Sequence, residues 1–284
     1  MPELPEVEVL ARHLEPLVRG KTIRDVLVRR ERVLRPTTAR ELSLKLRGAK
    51  FLQLRRRGKY MLFTLQAPKR KAPLMLLGHL GMTGKMYLLA ADAPLPKHAA
   101  VVLGFGKTKF VFEDTRYFGR FTLDMSAVEK LGPEPLEKEF TVAVFAAALK
   151  KSSQAIKVKL LDQELVAGVG NIYASEALFR AGISPKRPAR TLKLGEVKRL
   201  RQSIRAVLAE AIRCGSTVPL NFMGIGERDG LFYFGSAVGA PDFYTERLRI
   251  YDRAGKPCSK CGVVVRRIVQ AARSTFYCPK CQSR

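Results

Sequence analysis

The sequence predicts an α+β chain in three parts: a β-rich N-terminal domain behind one leading helix, a helical middle domain, and a C-terminal cysteine module. Three observations carry this. From Ile23 to Asp124, short runs of Val, Leu, Phe and Tyr are separated by Gly, Pro and charged turns. Beyond residue 139 the apolar period becomes helical. Four of the five cysteines crowd into residues 258–281.

The leading helix places Val7, Leu10, Leu14 and Leu17 or Val18 on one face, and Gly20 can stop it. The strand runs that follow are Phe51–Leu54, Tyr60–Leu65, Met86–Leu89, Ala99–Phe105 and Lys109–Glu113, spaced as in a sandwich or a barrel. Leu131–Lys138 holds two prolines and a glycine and reads as a linker. Thr141 is placed to cap an alanine-rich helix ending near Lys151. Leu194, Val197, Leu200, Ile204, Val207, Leu208 and Ile212 form a long apolar stripe that ends at Gly215. Residues 215–247, rich in glycine and aromatics without a period, read as a loop. The expected domains are residues 1–130, a linker at 131–139, residues 140–250, and a terminal module at 251–284.

That module reads C-x2-C-x16-C-x2-C through Cys258, Cys261, Cys278 and Cys281. Each pair can place two sulfurs on one edge of a tetrahedron, and the intervening residues suit a β-hairpin. The alternatives are two disulfides or a redox CxxC. The start MPELPEVEVL carries three glutamates where a secretory signal carries Lys or Arg, which argues against export and so against disulfides. A redox motif needs no second pair. One structural zinc is therefore expected, closed to substrate; Cys214 reads as an ordinary semi-buried thiol.

Lys and Arg number 52 against 25 Asp and Glu, a formal net charge of +27 over 284 residues, with 46% hydrophobic residues for cores. A disordered basic tail is excluded, and no run approaches the roughly 18 apolar residues of a membrane span. Such a chain points to a polyanionic partner, nucleic acid first, and to the cytoplasm. Within it, Lys157–Ala181 (KVKLLDQELVAGVGNIYASEALFRA) reads as helix, tight turn, helix, the second helix starting near Ile172. Glycines ahead of a helix N-terminus let backbone N–H groups reach an anion. With Lys157 and Lys159 upstream, the turn reads as a clamp on a DNA phosphate.

Five segments occur in order: PELPEVE at the start, HLGMTGK at 79–85, DTRYFGRF at 114–121, LLDQ with AGVGNIYASEALF, and the zinc module ending RSTFYCPKCQ. Together they resemble the formamidopyrimidine-DNA glycosylases (Fpg, or MutM), bacterial enzymes that excise oxidised bases. The resemblance spans the chain, and PELPEVE favours this branch over the endonuclease VIII type. It implies an N-terminal β-sandwich, a helix-two-turn-helix domain with a lesion-recognition loop at 215–247, and a zinc finger. It also implies a monomer that acts on double-stranded DNA containing oxidised bases or abasic sites in the bacterial cytoplasm, the DNA lying in a basic cleft.

The resemblance gives the odd N-terminus a meaning. Removal of Met1 leaves Pro2 with a free secondary amine, whose ordinary pKa of about 8 makes it far more often neutral than a lysine. By resemblance Pro2 is the nucleophile. Attack on the sugar C1′ expels the base and leaves an imine, an electron sink for β- and then δ-elimination. Glu3 is then the acid for the sugar ring oxygen. Burial or its neighbours Glu6 and Glu8 are expected to favour its protonated form. Lys59 is implied at the phosphate beside the lesion and Arg273 in the δ-elimination.

Met82, Arg116 and Phe118 match the family's void-filling triad. Extruding a nucleotide leaves a hole that a thioether, a guanidinium and an aromatic wedge can fill. By resemblance His98 and Asn171 contact DNA; Lys157, beside the glycine turn in a strongly basic chain, is read as a further DNA contact, and His79 as ordering its own loop by hydrogen bonding. A basic contact of the family falls here on Ser152, so none is carried over. The chain departs from the family after Gly215-Ser216-Thr217, where VPLNFMGIGERDGLFYF replaces the usual loop. The alternatives are therefore the same chemistry with an oxidised-pyrimidine preference, and a non-catalytic zinc-containing nucleic-acid-binding protein.

Overall fold

The computed structural model describes residues 2–68, 70–214 and 248–283. The loop reading of residues 215–247 lies outside them. Two units are distinguished. Among the described residues, the first holds Pro2 and Glu6–Glu129. The second holds Glu3–Pro5, Lys130–Cys214 and the C-terminal residues from 248 onward.

Helix α1 (Leu4–Val18) begins the chain, and Val7, Leu10, Leu14 and Val18 are fully buried in the core of the first unit. Two antiparallel sheets follow. One runs in the order β1 (Asp25–Val28), β6 (Ala99–Gly104), β7 (Thr108–Asp114), β5 (Gly84–Ala90). The other runs β2 (Lys50–Arg57), β3 (Tyr60–Gln66), β4 (Leu74–His79), β8 (Arg120–Thr122). Strand β3 alternates strictly, burying Met61, Phe63 and Leu65. β6, flanked by β1 and β7, is buried from Ala99 to Leu103. Rings from both sheets interlock: Phe63 of one meets Phe110 of the other at 5.9 Å, and Phe110 stacks on Phe121 at 5.7 Å. Such aromatic contacts add to what burial alone supplies. The N-terminal unit is a β-sandwich.

Helix α2 (Ala39–Leu46) interrupts the expected run of strands. Thr38 caps it by accepting the Glu41 N–H at 3.1 Å, and Leu42 and Leu46 bury its inner face. A 3₁₀ turn at Glu31–Leu34 precedes it, and the short α3 (Ser126–Glu129) closes the unit.

The second unit is helical before its terminal hairpin. Thr141 caps α4 (Val142–Lys150), as its position predicts, by accepting the Val144 N–H at 3.2 Å. The first helix of the helix–turn–helix segment is only one turn, α5 (Ile156–Lys159), and irregular turns lead from it to α6 (Asn171–Ala181). Helix α7 (Leu194–Cys214) buries Val197, Leu200, Ile204 and Leu208, most of the stripe read from the sequence. The hairpin of β9 (Arg266–Gln270) and β10 (Arg273–Tyr277) ends the fold. Among the described residues no helix is long and apolar enough to cross a membrane.

Candidate active site and nucleic-acid interface

In the first unit, strand pairing delivers Lys59. Arg57 pairs with Tyr60, so Gly58 and Lys59 form a two-residue hairpin turn, and Gly58 sits at φ +56°, where a side chain is disfavoured. Arg56 braces this turn: Nη1 donates to Gly58 O at 3.2 Å, and Nε donates to Glu8 Oε2 at 2.7 Å. Burial pushes the Glu8 carboxyl up, but the Arg56 and Arg12 guanidiniums outweigh it and hold it below its usual range. Lys59 is 6% exposed; Pro2 and Glu6 are also buried.

The cation of Lys59 is felt at His79, at the end of β4. Burial chiefly, then the charges of Lys59 and Arg120, bring His79 down to about 4. It is therefore a neutral ring at pH 7, and its Nδ1 accepts the Gly81 N–H at 3.1 Å. His79 orders its loop, as the sequence suggests. The β4–β5 loop turns at Gly81 (φ +62°), where a Cβ would lie 2.6 Å from Gly119 N.

Asp114, unmarked in the sequence reading, ties that loop to the next. Its Oδ1 accepts from Thr83 Oγ1 at 2.6 Å and from the Arg116 N–H at 3.1 Å, and its Oδ2 accepts the Gly119 N–H at 2.8 Å. This brings Met82, Arg116 and Phe118 together. Arg116 Nη1 lies 3.3 Å from Met82 Sδ, and the Arg116 guanidinium lies 4.7 Å from the Phe118 ring centroid. Met82 is 49% and Phe118 44% exposed, an apolar tip on a basic surface. His98 lies beside Tyr117, its Nδ1 3.4 Å from Tyr117 Oη. An aspartate accepting the N–H two residues on is an Asx turn, so D-x-R in DTRYFGRF was the signal for Asp114.

In the second unit, the N-terminus of α6 organises the other group. Gln163 folds the turns that precede it. Its Nε2 donates to Leu161 O and Val169 O, both at 2.9 Å, and its Oε1 accepts the Gly168 N–H at 2.9 Å. The donors at the helix start are then met by Glu3: Gly170 N and Ile172 N each at 2.8 Å, Tyr173 N at 3.3 Å. This corrects the expectation of a backbone clamp on phosphate at these donors. The acceptor there belongs to the chain itself. Glu3 is thereby fixed at the α6 N-terminus, its carboxyl accepting three N–H bonds. Of the neighbours expected to raise it, Glu8 is taken up by arginines.

Lys157 is 1% exposed and donates to Asn171 Oδ1 at 2.6 Å, while Asn171 Nδ2 donates to Ser274 O on β10 at 3.0 Å. Burial brings the Lys157 amine down to about 8, with Glu3 opposing and Arg273 assisting. Exposed Arg273 begins β10. Lys157, Asn171, Glu3 and Arg273 thus form one charged group.

The four cysteines converge as their spacing predicts. Their sulfurs lie within 4.8 Å of one another, with Cys258–Cys281 at 4.0 Å and Cys261–Cys278 at 3.5 Å. A tetrahedron with zinc–sulfur bonds of about 2.3 Å has edges of about 3.8 Å, so the donor set fits zinc. N–H groups of Lys260 and Cys281 donate to Cys258 and Cys278 sulfurs at 3.4 Å, which suits thiolates.

Three family models match the chain. Residues 1–121 match the formamidopyrimidine-DNA glycosylase N-terminal domain, residues 131–220 the H2TH domain of the same enzymes, and residues 255–284 a zinc finger found in FPG and IleRS. A formamidopyrimidine-DNA glycosylase of Thermus thermophilus is 42% identical over 289 residues, covering 99% of this chain and 98% of its own. Among solved structures, Lactococcus lactis Fpg in complex with an abasic site containing DNA has a TM-score of 0.87 at 32% identity, over 99% of this chain and 100% of that one. MutM in complex with carbocyclic 8-oxo-G containing DNA has a TM-score of 0.86 at 33% identity, over 100% of both chains.

Proposed function

The chain belongs to the formamidopyrimidine-DNA glycosylase family, and from that premise we propose that it excises oxidised purines from duplex DNA and then cuts the strand at the abasic site. The observation that carries this is Glu3. The residue next to Pro2 in the chain is a buried glutamate whose carboxyl is fixed by three N–H bonds.

With Met1 removed, the Pro2 nitrogen attacks C1′ of the damaged nucleotide. The bond from C1′ to the base breaks, and the base leaves with the electron pair and takes up a proton from solvent. The Glu3 carboxyl relays the proton released by the attacking amine to the ring oxygen, which opens the sugar. The cation left on nitrogen acidifies the C2′ hydrogen. Its loss expels the 3′ phosphate, and a second elimination expels the 5′ phosphate. Lys59 and Arg273 serve these steps from the phosphates. Met82, Arg116 and Phe118 fill the void left in the duplex, and His98, Lys157 and Asn171 hold backbone phosphates through side chains. Oxidised purines as substrates are supported by the carbocyclic 8-oxo-G and Fapy-dG DNA bound by relatives, while another relative is bound to oxidised-pyrimidine DNA.

Cys258, Cys261, Cys278 and Cys281 hold one structural zinc, which keeps the Arg273 hairpin folded. A two-stranded hairpin is marginal alone. Metal analysis should read one zinc per chain, and chelation should abolish duplex binding. The enzyme works as a monomer in the bacterial cytoplasm.

Borohydride trapping tests the chemistry, with one duplex carrying 8-oxoguanine opposite cytosine and another an abasic site. A covalent adduct mapped to Pro2 with both supports the whole reading. Trapping only on the abasic site keeps the lyase and moves the substrate to other lesions. No adduct on either, from protein lacking Met1, overturns the catalytic reading.

A further inference from the structure

The 3₁₀ turn at Glu31–Leu34 presents two arginines beside the Met82–Arg116–Phe118 tip, and no sequence motif points to them. The Arg30 guanidinium lies 5.4 Å from the Tyr117 ring centroid, and that of Arg32 lies 5.9 Å from the Phe118 ring centroid. The Phe118 ring therefore carries two guanidiniums, those of Arg32 and Arg116. The segment is held firmly from below. Arg29 N and Arg30 N both donate to Ala100 O, at 2.9 and 3.2 Å, and Val33 and Leu34 are fully buried. Thr37, just beyond, shares a 2.8 Å hydrogen bond with Thr122 of β8 and accepts the Leu123 N–H. On the ring side, Tyr117 takes φ +53°, a conformation costly for an aromatic residue.

The charges on this ledge are unspent. Both arginines are exposed, and among the described residues neither has an ion pair with a carboxylate. Arg30 Nη1 donates to Arg29 O at 3.1 Å, which leaves its other N–H donors, and those of Arg32, for a phosphate, whose two non-bridging oxygens can accept from one guanidinium. Order matters as well as charge. A free arginine side chain loses much rotamer freedom on binding, and a stacked one has already lost part of it.

We propose that the DNA-contact surface of the first unit extends from the tip onto this turn, with Arg30 and Arg32 each meeting a backbone phosphate while Tyr117 and Phe118 hold them in place. The proposal rests on the reading of Met82, Arg116 and Phe118 as a DNA wedge. Arg32 is in turn a positioning residue for Phe118.

The test is equilibrium binding to a short duplex carrying a tetrahydrofuran abasic analogue, followed by anisotropy from 50 to 200 mM salt. Each phosphate contact contributes about 0.9 to the slope of log affinity against log salt. Arg30→Ala and Arg32→Ala are each expected to reduce that slope by about 0.9, with melting temperature unchanged. Arg32→Lys keeps the charge but not the planar stack. It is expected to retain the slope while binding several-fold more weakly.

Wild-type slope in both alanine variants overturns the phosphate contacts. Wild-type affinity in Arg32→Lys overturns the stacking role. Binding by the wild type that is insensitive to salt and unchanged in Phe118→Ala would sink the wedge reading itself, an outcome separable from failure of the arginines alone.

Discussion

The Gly170 N–H donates to Glu3 Oε2 at 2.8 Å, and a Cβ on residue 170 would lie 2.3 Å from the Glu3 carboxyl carbon. The glycine is required because the carboxylate occupies the space a side chain would take. Gly170→Ala must therefore displace Glu3, which three N–H bonds hold. A reacting group moved by about 1 Å costs on the order of 100-fold in rate. The single-turnover rate of base release should fall by about that factor, with duplex affinity within a few-fold of wild type. Gly195 in α7 is the control, since nothing lies within 4 Å of its added Cβ. Gly195→Ala, at the second residue of α7, should leave the rate alone. An unchanged rate in Gly170→Ala would mean that the Glu3 position is not needed for base release.

His79 makes stability depend on acid. Its folded value of about 4 lies below the ordinary 6.5, so the unfolded chain binds the extra proton between those values. Stability therefore rises with pH across that window and is lost as pH falls through it. The full effect is on the order of 3 kcal/mol. Protonation would also cost the Gly81 hydrogen bond. His79→Gln keeps an acceptor without the titration. Melting temperatures of the two proteins between pH 4 and 7 should converge toward the acid end; parallel curves would rule out a depressed His79.

Lys157 places a pH limit on binding from the other side. Its amine titrates near 8 because it is buried, and a phosphate is held by the protonated form. Affinity for the tetrahydrofuran duplex should fall as pH rises above 8, by up to about tenfold per pH unit for one proton taken up on binding. A free α-amine ordinarily titrates near 8 as well, so the informative quantity is the difference between wild type and Lys157→Met. The variant should bind more weakly at pH 7 and lose the wild-type excess dependence. If both proteins share one pH profile, Lys157 does not meet phosphate as a cation.

These tests turn on contacts that differ in how legible they were. The apolar stripes of α1 and α7 and the Thr141 cap lie within local sequence, and local period reveals them. Helix α2 carries its own signal, Thr38 three residues before Glu41, but the signal is weak among the strand-like runs around it. Strand β4, LMLLGH, is a continuous apolar run with no alternation to read. In the candidate site, the convergence of the four cysteines followed from spacing alone. Asp114 and Gln163 were not singled out, because their work is to accept or donate bonds with backbone that the fold brings to them. Glu3 illustrates the limit most sharply. Its partners lie 167–170 positions away, and no local rule reports that a helix N-terminus so distant will take its carboxylate.

The hairpin that carries Arg273 is closed by an unusual turn. Gln270 pairs with Arg273, leaving Ala271 and Ala272 as the two loop residues, at φ +46° and +58°. A two-residue turn with both φ values positive matches the twist of the strands but favours Asn and Gly. For alanine the left-handed conformation costs roughly 1–2 kcal/mol per residue. Glycine removes that cost while giving back about 0.4–1 kcal/mol through the freer unfolded chain. Ala271→Gly and Ala272→Gly should thus each stabilise the hairpin by roughly 0.5–1 kcal/mol, the reverse of what glycine does at ordinary strand positions. Hydrogen-exchange protection of the β9 and β10 amides in zinc-loaded protein reads the effect directly. The turn geometry is retained, so Arg273 stays in place and strand cleavage should proceed at the wild-type rate. Faster exchange in both variants would show that the alanines do not bear the left-handed strain.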